Sequence, residues 1–387
     1  MKLRVSGSKQ RENTCDDHTT QKLSTLGEFG LISRIASASN QGAGVITGIG
    51  DDAAVTGITP DMQLLTSTDM LLENVHFRRL WHDPYRLGRK SLAVSISDIA
   101  AMGGIPRWAL LSLALPADVS LEFIDEFTRG FLVMAAGHGV SLIGGDTCLS
   151  KSGLIISVTI MAEQYPHLVV RRSGAKPGDD IWVTGTLGDA ASGLMLLEGE
   201  NVPSRQGRGG EYLISRLLDP TPRISCGCAL SEAGLASAMI DISDGLLADF
   251  GHISELSGVG GTIRLDDLPL SAEFQAASPH SVELRRHLAI SGGEDYELCF
   301  TSHPSNREKI TQLIKKCGIE ATPVGIVTTL PEVRAVTGDG GEYTSKNEGF
   351  NLFYIQLILL FSLLFKLLLK FDISLVISRT MMVNSIC

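Results

Sequence analysis

Five short acidic motifs hold the residues of this chain that could do chemistry: Gly50-Asp51-Asp52, Ser67-Thr68-Asp69, Ser97-Asp98, Gly144-Gly145-Asp146-Thr147 and Asp241-Ile242-Ser243-Asp244-Gly245. Each stands beside Gly, Ser or Thr, and most follow an apolar run. Carboxylates gathered from such motifs repel one another unless cations neutralise them. The chain offers no matching cluster of Lys or Arg. Mg²⁺ takes hard oxygen ligands, usually one or two carboxylates together with substrate phosphates. The pattern therefore points to a polyphosphate site built on metal ions.

Each motif also has a plainer reading. Asp51-Asp52 after Gly48-Ile49-Gly50 can share metals, or can form an Asx turn between strands. Ser67, Thr68 and Asp69 supply two hydroxyls and a carboxylate at a strand end, or a polar turn or helix cap. Asp98 lies mid-helix beside Ile96, Ile99 and Ala100, where a buried charge without a partner is costly. Gly144 to Thr147 follow the apolar stretch Val140 to Ile143 in a strand, glycine, acid order suited to phosphate and metal. Asp241 and Asp244 open a helix over Leu246 to Leu256. Helix amino ends attract phosphate, and capping is the alternative.

The common nucleotide loops are missing. Gly88-Arg89-Lys90-Ser91 looks like the end of a P-loop, but Asp83 occupies the position of the earlier glycine. Gly42-Ala43-Gly44 lacks the third glycine of a dinucleotide loop, and there is no histidine-bearing kinase loop.

Stepping outward from the motifs, strands are predicted over Gln63 to Thr66, Trp108 to Leu115 and Gly153 to Ala162. Helices are predicted over Pro84 to Met102, with Pro at its start and Gly103-Gly104 after it, and over Leu121 to Gly137. Arg171 to Asp179, rich in turn formers and charge, marks a domain boundary. Beyond it the pattern alternates again. Strands are expected at Ile181 to Thr184, Ala238 to Ile242, Thr262 to Leu265, Glu297 to Thr301 and Pro323 to Val327. Helices are expected at Gly188 to Leu197, Arg223 to Ala233, Leu246 to Leu256 and Asn306 to Lys316. Glu200 to Gly210 reads as a polar loop.

The chain has 387 residues, of which 44% are hydrophobic and 20% charged, enough to bury cores in two domains. A net charge of −10 and the lack of a basic stripe argue against nucleic acid as a partner. Seven irregularly spaced cysteines fit reduced thiols of the cytoplasm. Cys226-Gly227-Cys228 has no second Cys or His pair and reads as small residues on a helix. The first 25 residues are polar, lack the apolar segment of a signal peptide, and are expected to be a disordered extension. Leu352 to Phe365 is nearly all apolar, short of the ~20 residues of a membrane span.

Read in order, several phrases resemble the thiamine-monophosphate kinases. These are Gly48 to Ala53, Ser67 to Asp69, Asn74-Val75-His76-Phe77, Ser97 to Gly103, Ile143 to Thr147, Arg172 to Asp179, Asp241 to Gly245 and Ser291-Gly292-Gly293-Glu294-Asp295-Tyr296-Glu297-Leu298. Gly27-Glu28-Phe29 precedes them. The likeness spans about residues 26 to 350. That family belongs to the aminoimidazole ribonucleotide synthetase-like ATP enzymes. The resemblance implies an α/β (α+β) fold of two domains. These would be an amino-terminal ATP/Mg-binding domain over residues 26–165, forming the sheet of a homodimer, and a carboxy-terminal α/β domain over 166–350.

It also implies roles. Asp52, Ser67, Thr68, Asp69, Asp98, Asp146, Asp241 and Asp244 would be Mg²⁺ ligands. Gly145, Asp146, Arg172 and Ser243 would contact ATP. His76, Glu294 and Phe350 would face thiamine monophosphate. The nucleophile would be a phosphate oxygen, already largely ionised at pH 7, so no general base is expected. Where the family closes with Gly, an aromatic, Asp, His and Phe, this chain reads Gly349-Phe350-Asn351-Leu352-Phe353. The 351–387 tail is expected to be a segment added by a frame change or read-through, with a membrane anchor as the alternative. Two further readings compete with the kinase. One is another ATP-dependent enzyme of the group, of aminoimidazole ribonucleotide or selenophosphate synthetase type. The other is an inactive, membrane-tethered nucleotide-binding protein.

Overall fold

Pro84 presets φ for a first helical turn, and Gly103, at φ 67°, ends the same helix. Between them the apolar residues Leu87, Leu92, Ile96 and Ile99 are buried. Local rules of this kind account for most elements of the computed structural model, which describes residues 27–199, 208–276 and 281–343. The predicted extension, Phe350 and the 351–387 tail lie outside the described residues.

The first elements in chain order are α1 (Gly27–Ala38), β1 (Val45–Thr47), β2 (Val55–Thr56), β3 (Gln63–Leu72), α2 (Pro84–Ala101), β4 (Ile105–Pro116), α3 (Leu121–Gly137), β5 (Ser141–Ser150) and β6 (Ile155–Gln164). The rest are β7 (Asp180–Thr184), α4 (Asp189–Glu198), α5 (Arg208–Leu218), α6 (Ile224–Glu232), β8 (Ala238–Asp241), α7 (Leu246–Ser257), β9 (Gly260–Arg264), α8 (Ala272–Ala276), α9 (Val282–Ser291), β10 (Leu298–Ser302), α10 (Arg307–Lys316), β11 (Ala321–Thr328), β12 (Val333–Val336) and β13 (Glu342–Tyr343).

The described residues divide into two units. The first takes residues up to Gly57, then Thr68–Leu92 and Arg107–Met161. The second takes Ile58–Ser67, Ala93–Pro106 and residues from Ala162 onward. A four-stranded sheet has the order β3-β6-β4-β5. Strands β4 and β5 run parallel, from Trp108 opposite Ser141 to Pro116 opposite Ser150. In the first unit Ser120 caps α3 by accepting the Phe123 N–H at 3.2 Å. The buried stripe of α3 is Leu121, Ile124, Phe127, Phe131 and Met134. Gly88 lets α2 approach α3 closely, since a Cβ there would lie 2.0 Å from the Phe127 carbonyl oxygen.

The second unit carries a seven-stranded sheet of order β13-β12-β9-β11-β7-β10-β8, antiparallel except for the β12–β9 pair. Alternate residues of its central strands enter two different cores. Ile181, Val183, Ile240 and Cys299 pack with Leu246, Phe250 and Ile253 of α7 and Leu288 of α9. Trp182, Met239, Leu298 and Phe300 pack with Cys226 and Leu230 of α6 and Ile310 and Ile314 of α10. A strand buried on both faces has no polar alternation to keep, which is why these runs read as continuously apolar. The fold is α/β, as the resemblance implied.

Three expectations change. The strand beginning at Gln63 does not stop at Thr66; it runs on to Leu72, so Ser67 to Asp69 lie inside it. Likewise β5 passes through Gly144 to Thr147, because β4 continues to pair with it beyond a bulge near Leu110. Arg208, Gly209 and Gly210 open helix α5 instead of ending a loop. Small residues serve this helix pair: a Cβ at Gly193 of α4 would lie 2.3 Å from the Leu213 carbonyl oxygen of α5.

Candidate functional site

Strand β8 delivers Asp241 at its carboxyl end, buried, with the Ser97 hydroxyl of α2 donating to its Oδ2 at 2.7 Å. One residue along α2, Asp98 accepts a hydrogen bond from the Ser67 hydroxyl. So the mid-helix carboxylate that looked costly has a partner. Adjacent positions of α2 thus join β3 to one side and β8 to the other through hydroxyl–carboxylate pairs. Ser67 and Asp98 line a cavity of about 420 Å³ with Thr66, Met102, Arg171 and Arg172. Of the sequence candidates, the second unit brings together Ser67, Asp98, Asp241 and Arg172.

The loop after β8 is organised by a residue the sequence reading did not single out. Asp249, in the first turn of α7, accepts the backbone N–H groups of Ser243, Asp244 and Gly245 on one carboxylate oxygen at 3.0, 3.1 and 3.1 Å. The turn that leads into α7 is therefore held from within the helix. Burial, then the charges of Asp241 and Asp244, push the Asp249 carboxyl up to about 8. The signal was available: with α7 period, Asp249 falls on the stripe of Leu246, Phe250 and Ile253, where a carboxylate must find partners.

The segment carrying Glu294 packs backbone to backbone on this loop. Glu294 N–H donates to the Ser243 carbonyl and Tyr296 N–H to the Ile242 carbonyl, each at 2.8 Å. A Cβ at Gly293 would sit 2.5 Å from the Ser243 carbonyl oxygen, so the Gly-Gly pair is a requirement of close approach. Glu294 itself has φ 68°. Asp244 is exposed, yet neighbouring atoms strip part of its hydration and raise its pKa. His252 lowers it, Glu294 raises it and Arg172 lowers it, so these four side chains share one electrostatic neighbourhood.

Behind Glu294 lies a second unforeseen network. Glu297, with no exposed side chain, takes Arg223 Nε at 2.7 Å, Arg216 Nη2 at 2.9 Å and the Thr184 hydroxyl at 2.8 Å. Asp295 accepts the Gly188 N–H at 2.9 Å, and its own carbonyl takes Arg216 Nη2 at 3.2 Å. Burial holds the Asp295 carboxyl well above the usual carboxylate range, and also raises that of Asp189.

The first unit carries the other candidates. Asp52 and Asp146 are exposed. The Asp52 N–H donates to the Asp51 carboxylate and the Thr147 N–H to the Asp146 carboxylate, each at 2.9 Å. Each carboxylate thus takes the next backbone N–H. Thr68, on β3, lies 3.1 Å from the Thr159 hydroxyl, and Asp69 is the next residue of the strand. Gly145, φ 154°, is forced by sheet contact, since a Cβ would lie 1.7 Å from the Leu111 carbonyl oxygen. His76 accepts the Leu72 N–H on Nδ1 at 3.1 Å, which leaves the proton of a neutral ring on Nε2. Phe350 lies outside the described residues. Among the described residues, no group of three or more His, Cys, Asp or Glu side chains is arranged to hold a metal ion alone. Single carboxylates with a hydroxyl beside them suit Mg²⁺ sharing its shell with substrate phosphates, which is its usual habit. No helix among them is long and apolar enough to cross a membrane.

Comparison with known proteins gives the frame for this geometry. Residues 50–163 match the AIR synthase related protein, N-terminal domain, and residues 176–337 its C-terminal domain. Thiamine-monophosphate kinase of Salmonella typhimurium is 40% identical over 84% of this chain and 98% of its own length. The crystal structure of thiamine-monophosphate kinase from Stenotrophomonas maltophilia K279a is 38% identical, covers 82% of this chain and 98% of that one, and has a TM-score of 0.73. AaThiL complexed with AMPPCP and TMP is 33% identical, covers 86% and 100%, and has a TM-score of 0.65. Identity at this level along nearly the whole of each relative, across both matched domains, makes this chain a member of the thiamine-monophosphate kinase family.

Proposed function

We propose that this chain transfers the γ-phosphoryl group of ATP to thiamine monophosphate in an Mg²⁺-dependent, in-line reaction that makes thiamine diphosphate, the last step of that cofactor's biosynthesis. The observation that carries the substrate assignment is the relative complexed with AMPPCP and TMP, matched here along its full length. The cavity lined by Ser67, Asp98 and Arg172 supports the phosphate side of the reading.

In this reading Asp52, Ser67, Thr68, Asp69, Asp98, Asp146, Asp241 and Asp244 would supply oxygen ligands to Mg²⁺. When bound, the ions neutralise charge on the transferring phosphoryl group. Arg172 assists by contacting the ATP phosphates, with Gly145 and Ser243 offering backbone and hydroxyl groups. His76 presents an Nε2–H to the substrate, and Glu294 sets a carboxylate near the thiazolium cation. The acceptor phosphate is already ionised at neutral pH, so the residues position and neutralise, and none has to remove a proton. The homodimer that the family resemblance implies is part of this reading. We place the enzyme in the cytoplasm. The test is ADP release with ATP and Mg²⁺, comparing thiamine monophosphate with thiamine and identifying the product. Turnover of the monophosphate alone, yielding thiamine diphosphate, is expected; turnover of thiamine alone, or of neither, refutes the assignment.

A further inference from the structure

A helix amino end beside phosphate-handling residues ordinarily leaves its N–H groups for an anion. In the turn that leads into α7, three successive N–H groups, those of Ser243, Asp244 and Gly245, are taken by one buried carboxyl group from the first turn of the helix. These residues flank or belong to the set assigned above to Mg²⁺ and ATP. Gly245, the N-cap of α7, makes no side-chain cap bond, and its φ is 113°. Such a backbone has no regular partner of its own, and Asp249 supplies it. Further constraints on the loop come from the Glu294 and Tyr296 N–H groups, from the Ile242 N–H on the Glu297 carbonyl and from Ser97 on Asp241.

We propose that Asp249 is a positioning residue. It holds the Ser243–Gly245 backbone in the one shape that presents Asp241, Ser243 and Asp244 together. The role rests on the reading of the site given above. Its requirement is geometric: an acceptor oxygen at the end of a two-carbon stem. Asp249→Asn keeps a carbonyl oxygen in that place. Asp249→Ala removes it and leaves three N–H groups without the acceptor they had.

The test uses the full chain and two independent readouts. Amide hydrogen exchange across residues 241–246, without nucleotide, is expected to speed up at least about ten-fold in Asp249→Ala and to stay within about three-fold of wild type in Asp249→Asn. Binding of AMPPCP with Mg²⁺, by calorimetry, is expected to weaken at least about ten-fold in the alanine variant and to hold in the asparagine variant, since a net hydrogen bond is worth about a factor of ten. Should the alanine variant fail to fold, the asparagine variant still decides: slow exchange with normal AMPPCP binding supports the role. Fast exchange in Asp249→Asn, or unchanged exchange in a folded Asp249→Ala, overturns it. Exchange does not depend on the substrate, so failure of thiamine monophosphate turnover by the wild-type chain would sink the function while leaving this result standing.

Discussion

Glu297→Gln is the substitution with the most to say about how the substrate-side loop is held. The Glu297 carboxylate is fully buried, and the arginines it joins are only 10% and 14% exposed. Asp189 stands 3.7 Å from Arg216 Nε as a second acidic partner, and burial raises the pKa of both Asp189 and Asp295. Glutamine keeps the shape and one acceptor but removes the counter-charge that Arg223 and Arg216 share, leaving Arg216 only the more distant Asp189. Removing one partner of a buried ion pair costs about 3–5 kcal/mol. For a unit of this size each kcal/mol lowers the melting temperature by ~2–4 °C, so a fall of about 6–20 °C is expected. Differential scanning calorimetry reads it directly. The control is Arg334→Gln at the surface pair with Glu342, where both side chains are 51% exposed and about 1 kcal/mol or less is at stake. A Glu297→Gln shift no larger than the control's would refute the claim that this network anchors the segment bearing Glu294.

Two more outcomes follow from the structure. His82, 3% exposed, is held neutral: burial, then Lys90, lowers its pKa to about 3. A depressed histidine contributes stability that is complete above the unfolded value of about 6.5 and is lost as pH falls toward 3, by about 1.4 kcal/mol per unit. Between pH 7 and 5 the wild type should therefore lose about 2 kcal/mol more than His82→Phe in urea unfolding; equal losses would show that His82 does not titrate as described. Gly145→Ala places a Cβ 1.7 Å from the Leu111 carbonyl oxygen, so strands β4 and β5 must part. We expect at least about 3 kcal/mol of destabilisation and loss of turnover, since overpacking and a forbidden backbone act together; a variant of wild-type stability would show that β5 can bulge away freely.

Much of this was legible in the chain itself. Helix α2 announces its ends with Pro84 and Gly103 and its buried face with Leu87, Leu92, Ile96 and Ile99. Strands such as β7 and β10 announce themselves as short apolar runs. Those features are local, set by backbone sterics and by side-chain period, and need no knowledge of the rest of the fold. The order of the acidic motifs and the phrases around Arg172 and Glu294 carried the resemblance to the family. Where a strand stops was less legible, because a partner strand can carry pairing through Gly144-Gly145 or past Asp69. Pairing across the chain was not legible at all. Ser97 meets Asp241 across 144 residues and Glu297 meets Thr184 across 113. Asp249 of α7 reaches back to three N–H groups of the turn before its own helix. Such contacts depend on sheet order and on which helices pack upon which face, and only the folded chain brings those groups within hydrogen-bonding distance.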